Sequence, residues 1–381
     1  MQPWQQQFAQ PVGGQAGTRF APPSPNAPAI IPFGPPAHSP FGPPAHAPSP
    51  FAPPGFAPPA YQQPWGAPTP AKKPPAMMII ILSVSLVLGI AVAAAVATGL
   101  NIAPWSQSGP GPVPGGNKGN RYTQGPPDTN PADPPTPTTW DQVDAYLLNN
   151  PIYDQHLPKV DCRLGTLDLS TAPTEEIEKY LNVFVDCLMY AWYGPMIDAG
   201  YELPHPSVTV YTEPINTRCG MEDMQNAFYC TGDQQIYYAQ DMLTLFPQSM
   251  RALPYLVESV LAHEFGHHIQ YRTGIFDSSW DYETQAQEQG QTAEAMRFNR
   301  RLELQADCLD GLFLAAVADS SGFTDEDKKN VLSMYDIAAP STPESDDHGT
   351  ATNRKNWITQ GLNSDTPGVC RTYEANDEEV S

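Results

Sequence analysis

Apolar residues at 177, 181, 184, 188 and 192 recur at three- and four-residue spacing through "TEEIEKYLNVFVDCLMYAWYGPMIDAG". That period predicts an amphipathic helix, with Thr174 as its capping residue. "SVTVYTE" (207–213) alternates and is rich in β-branched residues, so it predicts a strand. "NAFYCTGDQQIYYAQ" predicts two strands joined through Thr231, Gly232 and Asp233. "PYLVESVLAHEFGHHIQYRTG" predicts a helix with Pro254 in its first turn and Gly274 as its stop. Residues 291–319 predict a second long amphipathic helix. Few strands interleaved with helices point to an α+β fold with a small sheet rather than a doubly wound one.

One apolar stretch has neither alternation nor a polar face. "AMMIIILSVSLVLGIAVAAAVATGL", Ala76 to Leu100, carries no charge and no proline. As a helix it spans roughly 37 Å at about 1.5 Å per residue, enough to cross a bilayer. The run is too long and begins too late for a cleaved signal peptide, so an uncleaved signal-anchor is expected. Lys72 and Lys73 precede it, and the next charge is Lys118. The positive-inside rule then places residues 1–75 in the cytoplasm and everything beyond 100 outside, as a single-pass protein of the cell membrane.

Composition divides the chain at the same place. Most of the 45 prolines fall before residue 140. Residues 1–75 include "FGPPAHSPFGPPAHAPSPFAPPGFAPPAY", a Pro/Ala/Phe repeat that lacks the aliphatic residues for a core. A disordered arm with polyproline II character is expected, mainly a spacer but able to meet a proline-recognising cytoplasmic partner. Residues 101–138 read as a Gly/Pro-rich linker. Residues 139–381 read as the folded domain, whose roughly 235 ordered residues are ample for one sizeable core. All 41 acidic residues lie at Asp128 or beyond, and the net charge is -22. That excludes nucleic acid as a partner, because phosphate binding needs a basic surface. All six cysteines (Cys162, Cys187, Cys219, Cys230, Cys308 and Cys370) also lie beyond the apolar run. An even number confined there fits disulfides in an oxidising compartment. Cys219 and Cys230, which straddle the expected hairpin, are the favoured local pair; the other pairings stay open.

The candidate chemistry sits in "LAHEFGHHIQ" (261–270). His263 and His267 are four apart on a helix, so both imidazoles share one face and can grip one metal ion. Glu264 projects beside them, placed to take a proton from water. The uncharged flanks suit a buried helix, and Gly266 lets another backbone, or a ligand, approach closely. His268 falls off the shared face and reads as a supporting or surface residue. Hydrolytic zinc sites usually take three protein ligands. "LELQAD" supplies Glu303 as the third and Asp307, four residues on, as acceptor for a ligand histidine's free N–H. Two acids in so apolar a stretch need partners to be buried.

Four segments in order, "CGMEDMQNAFYCTGDQQIYY", "LAHEFGHHIQ", "RLELQADCLDG" and "HGTATNRKNWITQGL", with Cys370 after them, resemble the bacterial neutral zinc metallopeptidases, a membrane-anchored group with a zincin-like catalytic domain. The resemblance covers residues 160–375 and leaves out the proline-rich arm. It implies one zinc per catalytic domain, held by His263, His267 and Glu303, with Glu264 as general base on a peptide or protein substrate. It also implies that the strand at 234–239 is the edge of the sheet, where an extended peptide could add. His348 is a candidate for oxyanion stabilisation, with a structural role as the competing reading; Tyr237 and Tyr238 read as packing residues. The expected function is an extracytoplasmic, membrane-anchored zinc metallopeptidase. The alternative is a non-catalytic envelope scaffold with a structural metal and a partner-recruiting arm.

Overall fold

The computed structural model describes residues 122–338 and 347–381, which belong to one compact unit. The arm, the apolar run at 76–100 and most of the expected linker lie outside the described residues. Among the described residues no helix is long and apolar enough to cross a membrane.

The α+β expectation holds: the described residues form seven helices and two small sheets. Helix α1 is Trp140–Leu148 and α2 is Thr174–Asp198. Ile177, Leu181, Phe184, Leu188 and Trp192 are all buried along α2, as their spacing requires. Thr174 is not its cap. Pro173 stands in the N-cap position with no side-chain hydrogen bond, and the Thr174 hydroxyl donates instead to Gln240.

Strands β1 (Val208–Tyr211), β4 (Ala227–Cys230) and β5 (Gln235–Ala239) form a three-stranded sheet in the order β1-β5-β4. Strands β2 (Ile215–Thr217) and β3 (Gly220–Glu222) pair as a separate hairpin. The expected turn at 231–233 folds β5 antiparallel against β4, with Phe228 opposite Tyr237. The other side of β5 takes β1 in parallel, with Val208 opposite Ile236. Both sides of β5 are therefore used, and the expectation that residues 234–239 form the edge strand is corrected. The edges are β1 and β4, and β4 is the one whose backbone reaches the histidine-bearing helix.

That helix, α3, is Leu256–Arg272. Pro254 lies before it rather than in its first turn, because Tyr255 takes a left-handed conformation (φ 66°) at the N-cap. Gly274 does end the region, and α4 (Ile275–Glu288) starts directly after it. Helix α5 is Thr292–Ser321, α6 is Asp325–Ala338 and α7 is Ala351–Leu362. The sequence pattern did not predict α1, α4, α6 or α7. Helices α5 and α7 meet at backbone contact through a pair of glycines. A Cβ at Gly361 would lie 2.0 Å from the Cys308 carbonyl oxygen, and one at Gly311 would lie 2.2 Å from that of Ile358. No side chain fits between the helices there, so their register is fixed.

All six cysteines pair: Cys162 with Cys187, Cys219 with Cys230, and Cys308 with Cys370. The local hairpin pair is the expected one. Residues 122–138, read as linker, run along the body. Tyr122 donates to Asp186 (3.0 Å), the Asp128 N–H to the His205 carbonyl (2.7 Å), and Arg272 to the Ala132 carbonyl (2.6 Å). Donors and acceptors from two helices and a loop of the body hold a Pro-rich segment that has no ladder of its own.

Candidate metal centre

Helices α3 and α5 cross where Gly266 faces Ala306; a Cβ on Gly266 would sit 3.2 Å from the Ala306 Cα. This close approach, anticipated for Gly266, brings the α3 histidines onto the α5 carboxylates. The rings of His263 and His267 lie 4.8 Å apart, edge to face. Glu303 Oε2 is 3.2 Å from His263 Nε2 and 3.5 Å from His267 Nε2. One ligating atom from each of the three residues falls within 4.8 Å of the others, and all three side chains are buried. The arrangement joins the residues that sequence spacing nominated separately.

The donor set fits a zinc ion. Two imidazole nitrogens and a carboxylate oxygen are a usual catalytic zinc set. Glu303 is fully buried, and its Oε1 has no hydrogen-bond partner, an orphaned acceptor aimed at no protein donor. Burial alone would push its carboxyl up, but His348, His267 and His263 outweigh that and hold it well below the usual carboxylate range. It is thus kept ionised, as a ligand must be.

Each histidine has its other ring nitrogen fixed from behind. His267 Nδ1 lies 2.8 Å from Gln270 Oε1, and the Gln270 amide donates to the Leu302 carbonyl at 2.7 Å. His263 Nδ1 lies 2.8 Å from Asp307 Oδ1. Asp307 is itself fully buried and is gripped by Arg354 from α7. Burial would raise the Asp307 carboxyl; Arg354 and then His263 overcome it and hold it at about 2.

Glu264 is buried beside the pair, and its Oε2 accepts the backbone N–H of Tyr229 on β4 at 2.8 Å. Burial raises its carboxyl, against the opposing pull of His263 and His267, which makes it a stronger base than a solvated glutamate. His348 comes to the same cluster. Its Nε2 is 3.3 Å from Glu303 Oε2, its Nδ1 is 2.7 Å from Asp347 Oδ1, and its ring lies 6.5 Å from that of His263. Asn299 on α5 pins this segment by donating to the Asp347 carbonyl at 2.8 Å.

His268 is not at the surface. It is fully buried between the Tyr229 hydroxyl and the Pro204 carbonyl, each at 2.9 Å, and faces away from the ligand set. Tyr238 is in the core, and Tyr237 stacks on Phe228. Arg354, Tyr335, Gln270 and Asn299 were not anticipated. For Arg354 a signal existed, since residues 354, 357, 358 and 361 follow helical spacing after Thr350, a capping threonine.

Residues 164–373 match the model of the family described as "Putative neutral zinc metallopeptidase". The chain belongs to that family. Among its relatives is "Uncharacterized protein Rv2575" of Mycobacterium tuberculosis, 28% identical over 228 residues, covering 51% of this chain and 73% of the relative. Another is "Uncharacterized protein YpfJ" of Escherichia coli K12, 26% identical over 217 residues, covering 54% of this chain and 74% of the relative. No solved structure gives a significant match. The zinc metallopeptidase match begins at Leu164 and ends at Tyr373, so it takes in every residue of the cluster and leaves residues 1–163 unmatched.

Proposed function

We propose that the chain is a membrane-anchored, extracytoplasmic zinc metallopeptidase that hydrolyses peptide bonds. The observation that carries this reading is the convergence of His263, His267 and Glu303, with Glu264 beside them. Zinc there would supply a Lewis acid that polarises a carbonyl and acidifies water. Glu264 then takes a proton from the attacking water at its carboxylate and passes it to the leaving amine. Asp307 and Gln270 hold the two imidazoles in orientation throughout. His348, oriented by Asp347, presents Nε2 towards the cluster and can donate to a developing oxyanion. In this reading an extended substrate would align along the β4 edge, where Glu264 accepts the Tyr229 N–H.

Full-length protein loaded with zinc should cleave members of a mixed peptide library, lose that activity to a chelator, and regain it on zinc addition. Cleavage of non-peptide amides alone would favour an amidase on the same centre. No cleavage of either kind by the zinc-loaded protein would leave the scaffold reading standing.

The anchor and the compartment are supported by the uncharged run at 76–100, by Lys72 and Lys73 before it, and by three disulfides with no cysteine left free. A C-terminal tag should be accessible to protease on intact spheroplasts, whereas an N-terminal tag should become accessible only after lysis. The reverse pattern would invert the orientation.

A further inference from the structure

Behind the metal cluster, four helices meet on a single carboxylate. Asp307 comes from α5, His263 from α3, Tyr335 from α6 and Arg354 from α7. Asp307 Oδ1 accepts from Arg354 Nη2 at 2.8 Å and from the Tyr335 hydroxyl at 3.2 Å, and it lies 2.8 Å from His263 Nδ1. Asp307 Oδ2 accepts from Arg354 Nε at 2.8 Å. The guanidinium lies over the Tyr335 ring, 4.6 Å from its centroid. Such a two-pronged contact fixes the plane of a carboxylate as well as its position. A single hydrogen bond from His263 would leave Asp307 free to rotate.

The origin of the guanidinium is fixed too. Arg354 lies two turns before Gly361 on the same face of α7. Gly361 touches the backbone at Cys308, the residue after Asp307. Sliding or rotating α7 would separate Arg354 from Asp307 and drive Gly361 into α5 at once.

We propose that Arg354 is a positioning residue for the metal ligand His263, acting through Asp307. The proposal rests on reading His263 as a zinc ligand. Arg354 touches neither the ligand atoms nor Glu264. It locks the Asp307 carboxylate in the one orientation that holds the His263 ring with Nε2 facing Glu303. In this role a lysine is a poor substitute, because an ammonium cannot form two parallel bonds to one carboxylate.

The test is the zinc dissociation constant of the full-length protein by chelator competition, with the visible spectrum of the cobalt-substituted form as a second readout. Arg354→Gln should weaken zinc binding roughly 10–100-fold, the usual size of effect for a partner behind a ligand, and alter the cobalt spectrum. Arg354→Lys should recover only part of the affinity. Asp307→Asn should weaken binding similarly, and adding Arg354→Gln to it should cause no further loss. If Arg354→Gln fails to fold, the double variant, which removes both buried charges, is compared with Asp307→Asn alone. Affinity within twofold of wild type in Arg354→Gln, or losses that multiply in the double variant, overturn the positioning role. Wild-type protein that binds no zinc overturns the metal reading itself.

Discussion

Glu264→Gln should keep its zinc and lose its hydrolysis. Glu264 is not one of the three converging side chains, so the substitution leaves His263, His267 and Glu303 in place. The glutamine oxygen can still accept the Tyr229 N–H, so the local packing survives. What disappears is the ability to take a proton. A positioned general base contributes typically about 10²–10⁴-fold, and kcat should fall by that order while the metal content per chain stays that of the wild type. Measurement of both quantities on one preparation separates the base from the ligands. A variant that retains both zinc and hydrolysis removes Glu264 from the chemistry; one that loses zinc makes it part of the metal site.

Asp307→Ala should be among the most destabilising single substitutions in the domain. It strips the partner from a guanidinium that is only 9% exposed and leaves His263 Nδ1 without its acceptor. Removing one member of a buried ion pair costs about 3–5 kcal/mol, since the remaining charge stays buried and unpaired. Chemical denaturation of the metal-free protein at pH 7 should show a loss of that size. The pH dependence has a definite sign. Asp307 is held at about 2 in the folded chain, below the ordinary aspartate value of about 3.9. Its contribution is therefore complete above about pH 4 and fades as the pH falls towards 2, where the wild-type carboxylate takes up a proton. The gap between wild type and variant should narrow over that window. A difference below about 1 kcal/mol at pH 7 would mean that Arg354 finds solvent or another partner when Asp307 is gone.

The elements that place the ligands were legible because their information is local. The His-Glu-x-x-His spacing on α3 and the Glu-x-x-x-Asp spacing on α5 each lie within two turns of one helix, and the period of α2 runs along a single helix. Gly266 was legible in part: a glycine in an apolar face admits a close backbone or a ligand, and Ala306 of α5 is what occupies the space. The order of the strands was not legible. Adjacent strands and a short turn announce the β4–β5 hairpin, but nothing local says that β1 returns in parallel to cover the far side of β5. That pairing is decided by tertiary packing, and it moved the free edge from β5 to β4.

The missed helices fail locally for a different reason. Helix α4 carries Asp277, Ser278, Ser279, Asp281 and Tyr282 along its first turns, and Ser278 and Ser279 are buried. Its apolar stripe is thin because part of its buried face is small and polar against α5, where Ser279 donates to the Phe298 carbonyl. Helix α7 shows its spacing, but its significance lies in Arg354 meeting a carboxylate 47 residues away, which no window along the chain displays. His348 sits between these cases. Its sequence neighbourhood offered little, and the Asn299 contact with Asp347 is what carries it to Glu303.

Whether His263, His267 and Glu303 jointly hold one metal ion is the point on which the functional reading depends. Zinc X-ray absorption on the full-length protein, paired with metal content, addresses it directly. The account predicts one zinc per chain, a first shell of nitrogen and oxygen at about 2.0–2.2 Å with the scattering pattern of two imidazoles, and loss of that shell in Glu303→Ala. A shell containing sulfur, or an unchanged shell in Glu303→Ala, would contradict it.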